Sequence, residues 1–183
     1  MEDIKDRLGD YKYNYFTSLQ KYLDTELYFY GSIKRFDYFD NGSDIDITVI
    51  TDNVNSTLSK LQNYLNAKKS EVKKIYQKFY ENSNKIVVGY KIKYQDEKKD
   101  LNFDILIYDE KYRDIVMENI NAINNLPSYV IILLVILKFI YYNLCLIPKE
   151  YYLRIKSLIF TCYFSNQLIL YDKSLSTTII LDS

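Results

Sequence analysis

The segment 44–50 constrains the fold of this chain more than any other part of its sequence. It reads Asp44-Ile45-Asp46-Ile47-Thr48-Val49-Ile50, so acidic residues alternate with β-branched apolar ones. Successive side chains of a strand point to opposite faces, and the pattern therefore predicts a strand with one buried face and both carboxylates on the other. Two carboxylates on one face repel each other and raise one pKa unless a cation lies between them. An acidic turn that caps the strand explains this segment alone equally well.

A third carboxylate lies in a later apolar run. The segment 101–107 reads Leu-Asn-Phe-Asp-Ile-Leu-Ile, and its one charged residue is Asp104. A lone charge on so hydrophobic a strand is costly unless it is paired or bound to a metal. If this strand neighbours the segment 44–50, three carboxylates converge. Hard oxygen ligands of this kind select magnesium or manganese.

A glycine and a serine end an earlier strand. The short apolar run 27–30 stops at Gly31, and a short helix is expected to start at Ser32. Glycine lets a phosphate approach the backbone closely, and the serine hydroxyl and the first amides of a helix donate to an anion. Gly-Ser is a common dipeptide, so this signal has weight only beside the acidic residues.

The periodicity of the remaining chain indicates an α+β fold. Helices are predicted over 2–24 and 55–68, the second capped by Asn55 or Ser56, and a β-hairpin is predicted over 71–94. From about Tyr112 onward the pattern is helical. We therefore expect a mixed or antiparallel sheet flanked by helices, in a domain over 1–110, followed by a small helical C-terminal half over 111–183 that packs on it.

The apolar segment 129–147 has about the length of a membrane span. Lys138 lies at its centre, and a central lysine costs roughly 2.5–3.5 kcal/mol on insertion scales. We therefore expect a buried core helix and no membrane association. Lys138 is interpreted either as a salt-bridged or snorkelling residue or as a cation delivered to a bound triphosphate.

Composition excludes several classes of chemistry. The chain has no histidine and only two cysteines, which excludes histidine-based triads and nearly all zinc sites. Cys145 and Cys162 lie in apolar stretches and are expected to be buried thiols in a reducing compartment. The charged, polar N-terminus does not resemble a signal peptide, so we expect a cytoplasmic protein. The Tyr-, Ile-, Asn- and Lys-rich composition indicates an AT-rich coding sequence, such as that of a virus, a plasmid or a low-GC organism.

Together these motifs resemble the polymerase-beta-like nucleotidyltransferase superfamily. Gly31-Ser32, ten further residues, Ser43-Asp44-Ile45-Asp46 and a distant strand aspartate match its pattern over residues 27–108. The superfamily includes poly(A) and terminal uridylyl transferases, oligoadenylate synthases and minimal nucleotidyltransferases. Many relatives have a second glycine shortly after the Gly-Ser, whereas this chain reads Lys34-Arg35-Phe36-Asp37, which puts the path of that loop in doubt.

The resemblance implies an enzyme of the EC 2.7.7 type that transfers a nucleoside monophosphate from a nucleoside triphosphate to a hydroxyl and releases pyrophosphate. It assigns two Mg²⁺ or Mn²⁺ ions and the catalytic role to Asp44, Asp46 and Asp104. It assigns nucleotide binding to Gly31, Ser32, Ser43 and Lys138. Such transfer depends mostly on positioning and electrostatics, so the lack of histidine is no handicap.

The acceptor is less constrained by the sequence. Between Ala67 and Lys99 ten lysines face four acidic residues, with tyrosines interleaved. Such a surface can pair phosphates and stack bases, which predicts an RNA 3′ end as acceptor; a solvated sheet face is the alternative. The candidate RNA contacts are Lys73, Lys74, Lys91 and Lys93.

Two further interpretations stay open. Nucleotide transfer to a protein, a small molecule or a second nucleotide fits the small size of the chain. A non-catalytic subunit that keeps the fold to bind a partner is the third interpretation. The apolar helices predicted over 129–147 and 153–164 would serve an oligomer interface as well as an internal core.

Overall fold

The computed structural model describes residues 2–40, 42–78, 86–96, 101–163, 168–173 and 176–180. Within these ranges one seven-stranded sheet has the order β1-β2-β5-β4-β3-β6-β7. Strands β2 and β5 are parallel, and every other neighbouring pair is antiparallel. The strands are β1 (Leu27–Tyr30), β2 (Ile45–Thr51), β3 (Val72–Lys78), β4 (Ile86–Gln95), β5 (Asn102–Asp109), β6 (Leu168–Lys173) and β7 (Ser176–Ile180). The predicted mixed sheet is confirmed.

Five α-helices accompany the sheet in the described residues. They are α1 (Lys5–Leu23), α2 (Val54–Leu65), α3 (Arg113–Asn124), α4 (Ser128–Lys138) and α5 (Lys149–Tyr163). A π-helical turn at Phe139–Asn143 continues α4. Helices α1 and α2 pack on one face of the sheet, and α3 packs on the other. Helices α4 and α5 pack against each other through a small separate cluster around Leu134 and Phe160. The α+β class with a C-terminal helical part is therefore confirmed.

Period-two alternation decides which side chains reach each face. In β5, Phe103 and Ile105 enter the core under α1 and α2, whereas Leu106 and Tyr108 pack with α3 on the opposite face. Asp104 lies between Phe103 and Ile105 and so shares the face of Leu106. The central strands thus pack through apolar side chains on both faces, and the acidic residues lie on the face of α3.

Local chemistry explains the ends of the helices. The side chain of Asn53 caps α2 by accepting a hydrogen bond from Ser56 N, so the cap lies before the two residues predicted for it. Asn66, with a positive φ, ends this helix three residues short of the prediction. Pro127 is the N-cap residue of α4, where its missing N–H costs no hydrogen bond.

Three expectations for the C-terminal part differ from the structure. The sequence pattern predicted helix beyond Tyr112 without strands, but β6 pairs with β3 and β7 pairs with β6. The segment 129–147 is not one buried helix, because α4 ends at Lys138 and leaves Ile132 and Ile136 exposed. Cys145 and Cys162 are exposed and not buried. Apolar residues flank both cysteines, but Cys145 lies in the connection between the π-helical turn and α5, and Cys162 lies in the last turn of α5, the helix in which Tyr152 is the buried residue. The boundary at residue 110 and the oligomer interface stay predictions.

No single helix among the described residues is long and apolar enough to cross a membrane. Residues 110–124 and 128–143 pass such a test only as a pair, and they are bent by 71° relative to each other.

Candidate active site

The parallel pairing of β2 and β5 brings two acidic residues side by side. Asp46 is the register partner of Asp104, and both project from the sheet face that α3 covers. Asp44 directly precedes β2, and its Oδ1 accepts a hydrogen bond from the side chain of Asn102 on β5. The three aspartates predicted from the sequence therefore lie together at the start of two neighbouring strands.

Two lysines of β4 accompany these acids. Lys91 Nζ lies 2.8 Å from Asp104 Oδ2. Lys93 Nζ lies 3.3 Å from Asp44 Oδ2 and 3.7 Å from Asp104 Oδ1. The antiparallel register places Lys93 directly opposite Asp104, which explains these contacts.

Burial makes this cluster electrostatically unusual. Desolvation raises the pKa of Asp46 to about 6; the charges of Asp104 and Asp44 add to the rise, and those of Lys156 and Lys91 oppose it. Two oxygen atoms on β5, Asn102 Oδ1 and Asp104 Oδ1, are buried without a hydrogen-bond partner. A buried oxygen left in this state is costly and favours a cation beside it.

The donor set fits a divalent cation, but the side chains are not arranged as a finished metal site. Within the described residues, no three Asp, Glu, His or Cys side chains form a group that could hold a metal ion as they stand. Carboxylate and amide oxygens are the ligands that Mg²⁺ and Mn²⁺ prefer. Asp44, Asp46 and Asp104 are therefore the candidates to hold the ions, with Asn102 as a fourth candidate that the sequence analysis missed.

Gly31 lies against one of the acids. Its φ is +75°, and a Cβ built at this position would lie 2.8 Å from Asp46 Oδ2. Only glycine fits this combination of backbone conformation and space. A short 3-10 helix, Gly31–Lys34, begins here, one residue before the predicted start at Ser32, which is buried. The amide of Gly31 donates to Asn124 Oδ1 at the end of α3, so this N–H is engaged within the protein.

Lys138 belongs to a buried ion-pair network. It donates to the carbonyl oxygen of Asp37 at 2.6 Å, to Asp37 Oδ2 at 3.0 Å and to Ser43 Oγ at 3.2 Å. A lysine has three N–H donors, so all three are used. Burial would raise the pKa of Asp37, but the charges and hydrogen bonds of Lys138 and Arg35 outweigh it and hold the pKa below its usual value. Burial also lowers the pKa of Lys138, and Asp37 opposes this.

This network explains how the loop before β2 takes its path without a second glycine shortly after Gly31 and Ser32. Arg35 makes two hydrogen bonds to the Asp37 carboxylate and a third to the carbonyl of Ile123 on α3. Both partners of the Arg35–Asp37 pair are almost completely buried. The loop is thus fixed by ion pairs, and Lys138 and Ser43 hold it in place. The nucleotide-binding role of Lys138 and Ser43 stays a prediction.

A cavity of about 440 Å³ joins the acids to the helical half. Helix α5 lines it with Lys149, Leu153, Lys156 and Phe160, a spacing that keeps all four on one helical face. Buried Gln77 of β3 and Asn119 of α3 also line it. These residues were not predicted from the sequence, although the seven-residue spacing of the two lysines was a usable signal.

The predicted RNA contacts divide between the two sheet faces. Lys73 shares the face of Ile75, which packs on the α3 side, and its register partner is Lys91. Lys74 points to the opposite face, where its Nζ lies 5.4 Å from the centre of the Tyr76 ring. Tyr90 and Tyr94 also pack on that opposite face, against the core under α1 and α2. Of the interleaved tyrosines, Tyr80 lies outside the described residues.

Comparison with known proteins gives a family match. The family described as "Nucleotidyltransferase domain" matches residues 14–143. No curated protein sequence matches the chain significantly. Among solved structures, a GTP pyrophosphokinase family protein from Streptococcus pneumoniae is 13% identical, with 85% of this chain and 91% of that chain covered and a TM-score of 0.29. A likeness at this TM-score carries no weight for fold or function.

Proposed function

The chain belongs to the nucleotidyltransferase domain family, and from this premise we propose that it transfers a nucleoside monophosphate from a nucleoside triphosphate to a hydroxyl acceptor, with release of pyrophosphate. One observation carries the proposal. Asp46 and Asp104 are register partners on parallel strands, and Asp44 lies beside them at the edge of a cavity that also holds Gly31 and Ser32.

The residues of this chain divide the work of the transfer. Asp44, Asp46 and Asp104 would hold divalent cations, which the family usually uses; when bound, these would neutralise the charge that develops on the pyrophosphate and lower the pKa of the acceptor hydroxyl. The acceptor oxygen attacks the α-phosphorus, the bond to the pyrophosphate breaks, and the Asp104 carboxylate accepts the hydroxyl proton.

The triphosphate lies, in this proposal, between the sheet and α5. Lys149 and Lys156 line the cavity, whereas the three N–H donors of Lys138 are used inside the protein. The α5 lysines are thus better placed than Lys138 to pair with phosphate oxygens. Lys138 acts through the loop that it holds.

Incubation with the four radiolabelled nucleoside triphosphates, Mg²⁺ or Mn²⁺ and candidate acceptors tests the proposal. We expect incorporation by the wild type and a loss of at least about 100-fold for Asp46→Asn and for Asp104→Asn. Asp109→Asn, at the far end of β5 and paired with Lys111, is the matched control and keeps its activity. Equal incorporation by the wild type and both site variants would contradict the proposal.

An RNA 3′ end is the first acceptor that we propose. Lys73, Lys91 and Lys93 share the sheet face of the acids and could guide a polyanion towards them. Lys73→Glu should weaken RNA binding and make it less salt-dependent, whereas Lys74→Glu on the opposite face should not. If the two charge reversals weaken RNA binding equally, or if salt does not change RNA binding, the proposal that these lysines guide RNA to the acids is excluded.

Transfer to a protein, a small molecule or a second nucleotide is the second candidate. It is favoured because Lys91 and Lys93 pair with the acids and because Tyr90 and Tyr94 pack against the core instead of offering a surface for base stacking. Laddered RNA products support the first candidate, and a labelled protein or a dinucleotide supports the second. If metal plus nucleotide leaves the thermal stability unchanged, the non-catalytic subunit is supported instead.

A further inference from the structure

Two ammonium groups occupy the space among the three aspartates. Lys91 Nζ contacts Asp104 Oδ2 at 2.8 Å, and Lys93 Nζ lies between Asp44 Oδ2 at 3.3 Å and Asp104 Oδ1 at 3.7 Å. These are the carboxylates that would hold divalent cations. Strand register fixes both lysines here, since β4 pairs with β5 and Lys93 lies opposite Asp104. The positive charges are therefore part of the folded sheet and not accidental surface contacts.

The lysines satisfy the acids only in part. Asp104 Oδ1 and Asn102 Oδ1 are buried and have no hydrogen-bond partner, because the 3.7 Å separation of Lys93 from Asp104 is too long for a hydrogen bond. Three carboxylates face these two ammonium groups, and the charge of Lys156 on α5 also acts on Asp46. A divalent cation placed beside the acids would satisfy the open oxygens but would be repelled by both lysines as long as they stay.

The cavity allows the lysines to leave. The side chain of Lys93 is 58% exposed, and that of Lys91 is 23% exposed. Both line the cavity and carry flexible four-carbon stems. Each amine can therefore turn from the aspartates towards the cavity, where the phosphates of a bound nucleotide would supply a new anionic partner.

We propose that Lys91 and Lys93 are resident cations of the acidic cluster, which hold Asp44 and Asp104 in the metal-free protein and are exchanged for divalent metal when the site is loaded. The inference rests on the proposed function for the identity of the ligands. In this role the two lysines are positioning residues. They keep the carboxylates together without metal, and they lower the affinity for metal alone.

Mn²⁺ titration of the full chain tests the exchange, with free Mn²⁺ followed by electron paramagnetic resonance and stability followed by thermal unfolding. Lys91→Met keeps the apolar stem and removes the charge. We expect it to lower the unfolding temperature without metal and to bind Mn²⁺ at least about tenfold more tightly than the wild type. Lys93→Met should change both quantities in the same direction by a smaller factor. Lys111→Met, an exposed lysine that pairs with Asp109 at the far end of β5, should bind Mn²⁺ as the wild type does.

Each outcome decides between the alternatives. An unchanged or weaker Mn²⁺ affinity in Lys91→Met, or no Mn²⁺ binding by any variant, overturns the exchange. If Lys91→Met does not fold, Lys93→Met decides in the same way. Tighter Mn²⁺ binding by the variants together with a wild type that transfers no nucleotide supports the exchange and removes the proposed function. If the wild type transfers nucleotide but binds Mn²⁺ with the same affinity as the variants, the proposed function is supported and the exchange is overturned.

Discussion

At the scale of single residues, the site is shaped by what lies against Asp46. Gly31 has a positive φ and stands where any side chain would meet the Asp46 carboxylate, while Asp104 and Asp44 crowd the same carboxylate with negative charge. The fold therefore keeps a charge where it is costly. Such strained electrostatics are typical of functional sites.

Asp46→Asn should stabilise the metal-free protein at neutral pH. Since burial raises the pKa of Asp46 from 3.8 to about 6, the unfolded state ionises first as pH rises. Stability is therefore lost between about pH 4 and pH 6, and it stays lost above that range. Urea unfolding in EDTA should show the variant about 1–3 kcal/mol more stable at pH 7 and nearly equal to the wild type at pH 4. A constant difference at both pH values would contradict this electrostatic cause.

Gly31→Ala should impair the site more than the fold. The added methyl group would meet Asp46 Oδ2. Alanine would also have to adopt the positive φ of this position, which L-residues rarely do, at a cost of about 1–3 kcal/mol. We expect nucleotide incorporation to fall at least tenfold, as measured at saturating nucleotide. Gly9→Ala is a control for the backbone effect alone, because Gly9 also has a positive φ but a Cβ there meets nothing within 4 Å. Equal losses of incorporation in both variants would argue against a specific contact with Asp46.

At the scale of elements, sequence periodicity predicted the strands, but it did not predict which side chains lie on each face of the sheet or contact each other across it. The alternation of 44–50 and 101–107 placed three carboxylates on strands, and the parallel pairing of β2 with β5 brought them together. The lysine-tyrosine mixture of 71–94 was predicted as one surface, yet period-two geometry sends Lys73 and Tyr90 to opposite faces. The contacts of Lys91 with Asp104 could not be predicted, because strand order is set by pairing between segments distant in the chain.

Helix α5 shows the same limit. Its apolar residues were interpreted as an oligomer interface or an internal core, but the face that carries Lys149 and Lys156 lines the cavity. The pattern identified the helix, whereas the position of its lysines near the acids depends on how α4 and α5 pack against each other.

Lys156→Ala should weaken binding of nucleoside triphosphate by about tenfold and leave binding of the nucleoside alone unchanged, since it removes a charge that pairs with phosphate. Lys149→Ala should act in the same direction. Isothermal titration calorimetry with triphosphate and nucleoside separates the two effects. Arg154→Ala removes an equal charge from an exposed position on the same helix and should bind as the wild type does. A similar loss of triphosphate affinity in Arg154→Ala would indicate that the overall positive charge of the helix, and not a specific contact of Lys156, determines binding.

At the scale of the whole molecule, the two halves are joined through charge as well as through apolar packing. Lys138 at the end of α4 is inserted into the loop that precedes β2, and Arg35 of that loop reaches the end of α3. The sequence marked Lys138 as the one charge of an apolar segment, but not its partner, because Asp37 lies in a loop about 100 residues away. Formal net charge is zero, so ligand binding depends on such local arrangements.

Lys138→Met should lower the free energy of unfolding by about 3 kcal/mol, because it leaves the Asp37 carboxylate buried with only Arg35 as a charged partner. Lys138→Met combined with Asp37→Asn should recover part of this loss. Urea unfolding of the single and double variants measures the free energy of unfolding. Lys111→Met is the control, because Lys111 is exposed and paired at the surface, and its free energy of unfolding should change by less than about 1 kcal/mol. A loss no larger than that of the control would contradict a structural role for the pair.

The buried Lys138–Asp37 contact also determines how the molecule could open. Separating the helical half from the sheet at this end would break the Lys138–Asp37 ion pair and leave Asp37 paired with Arg35. Opening of the two halves is therefore expected to cost least away from this contact.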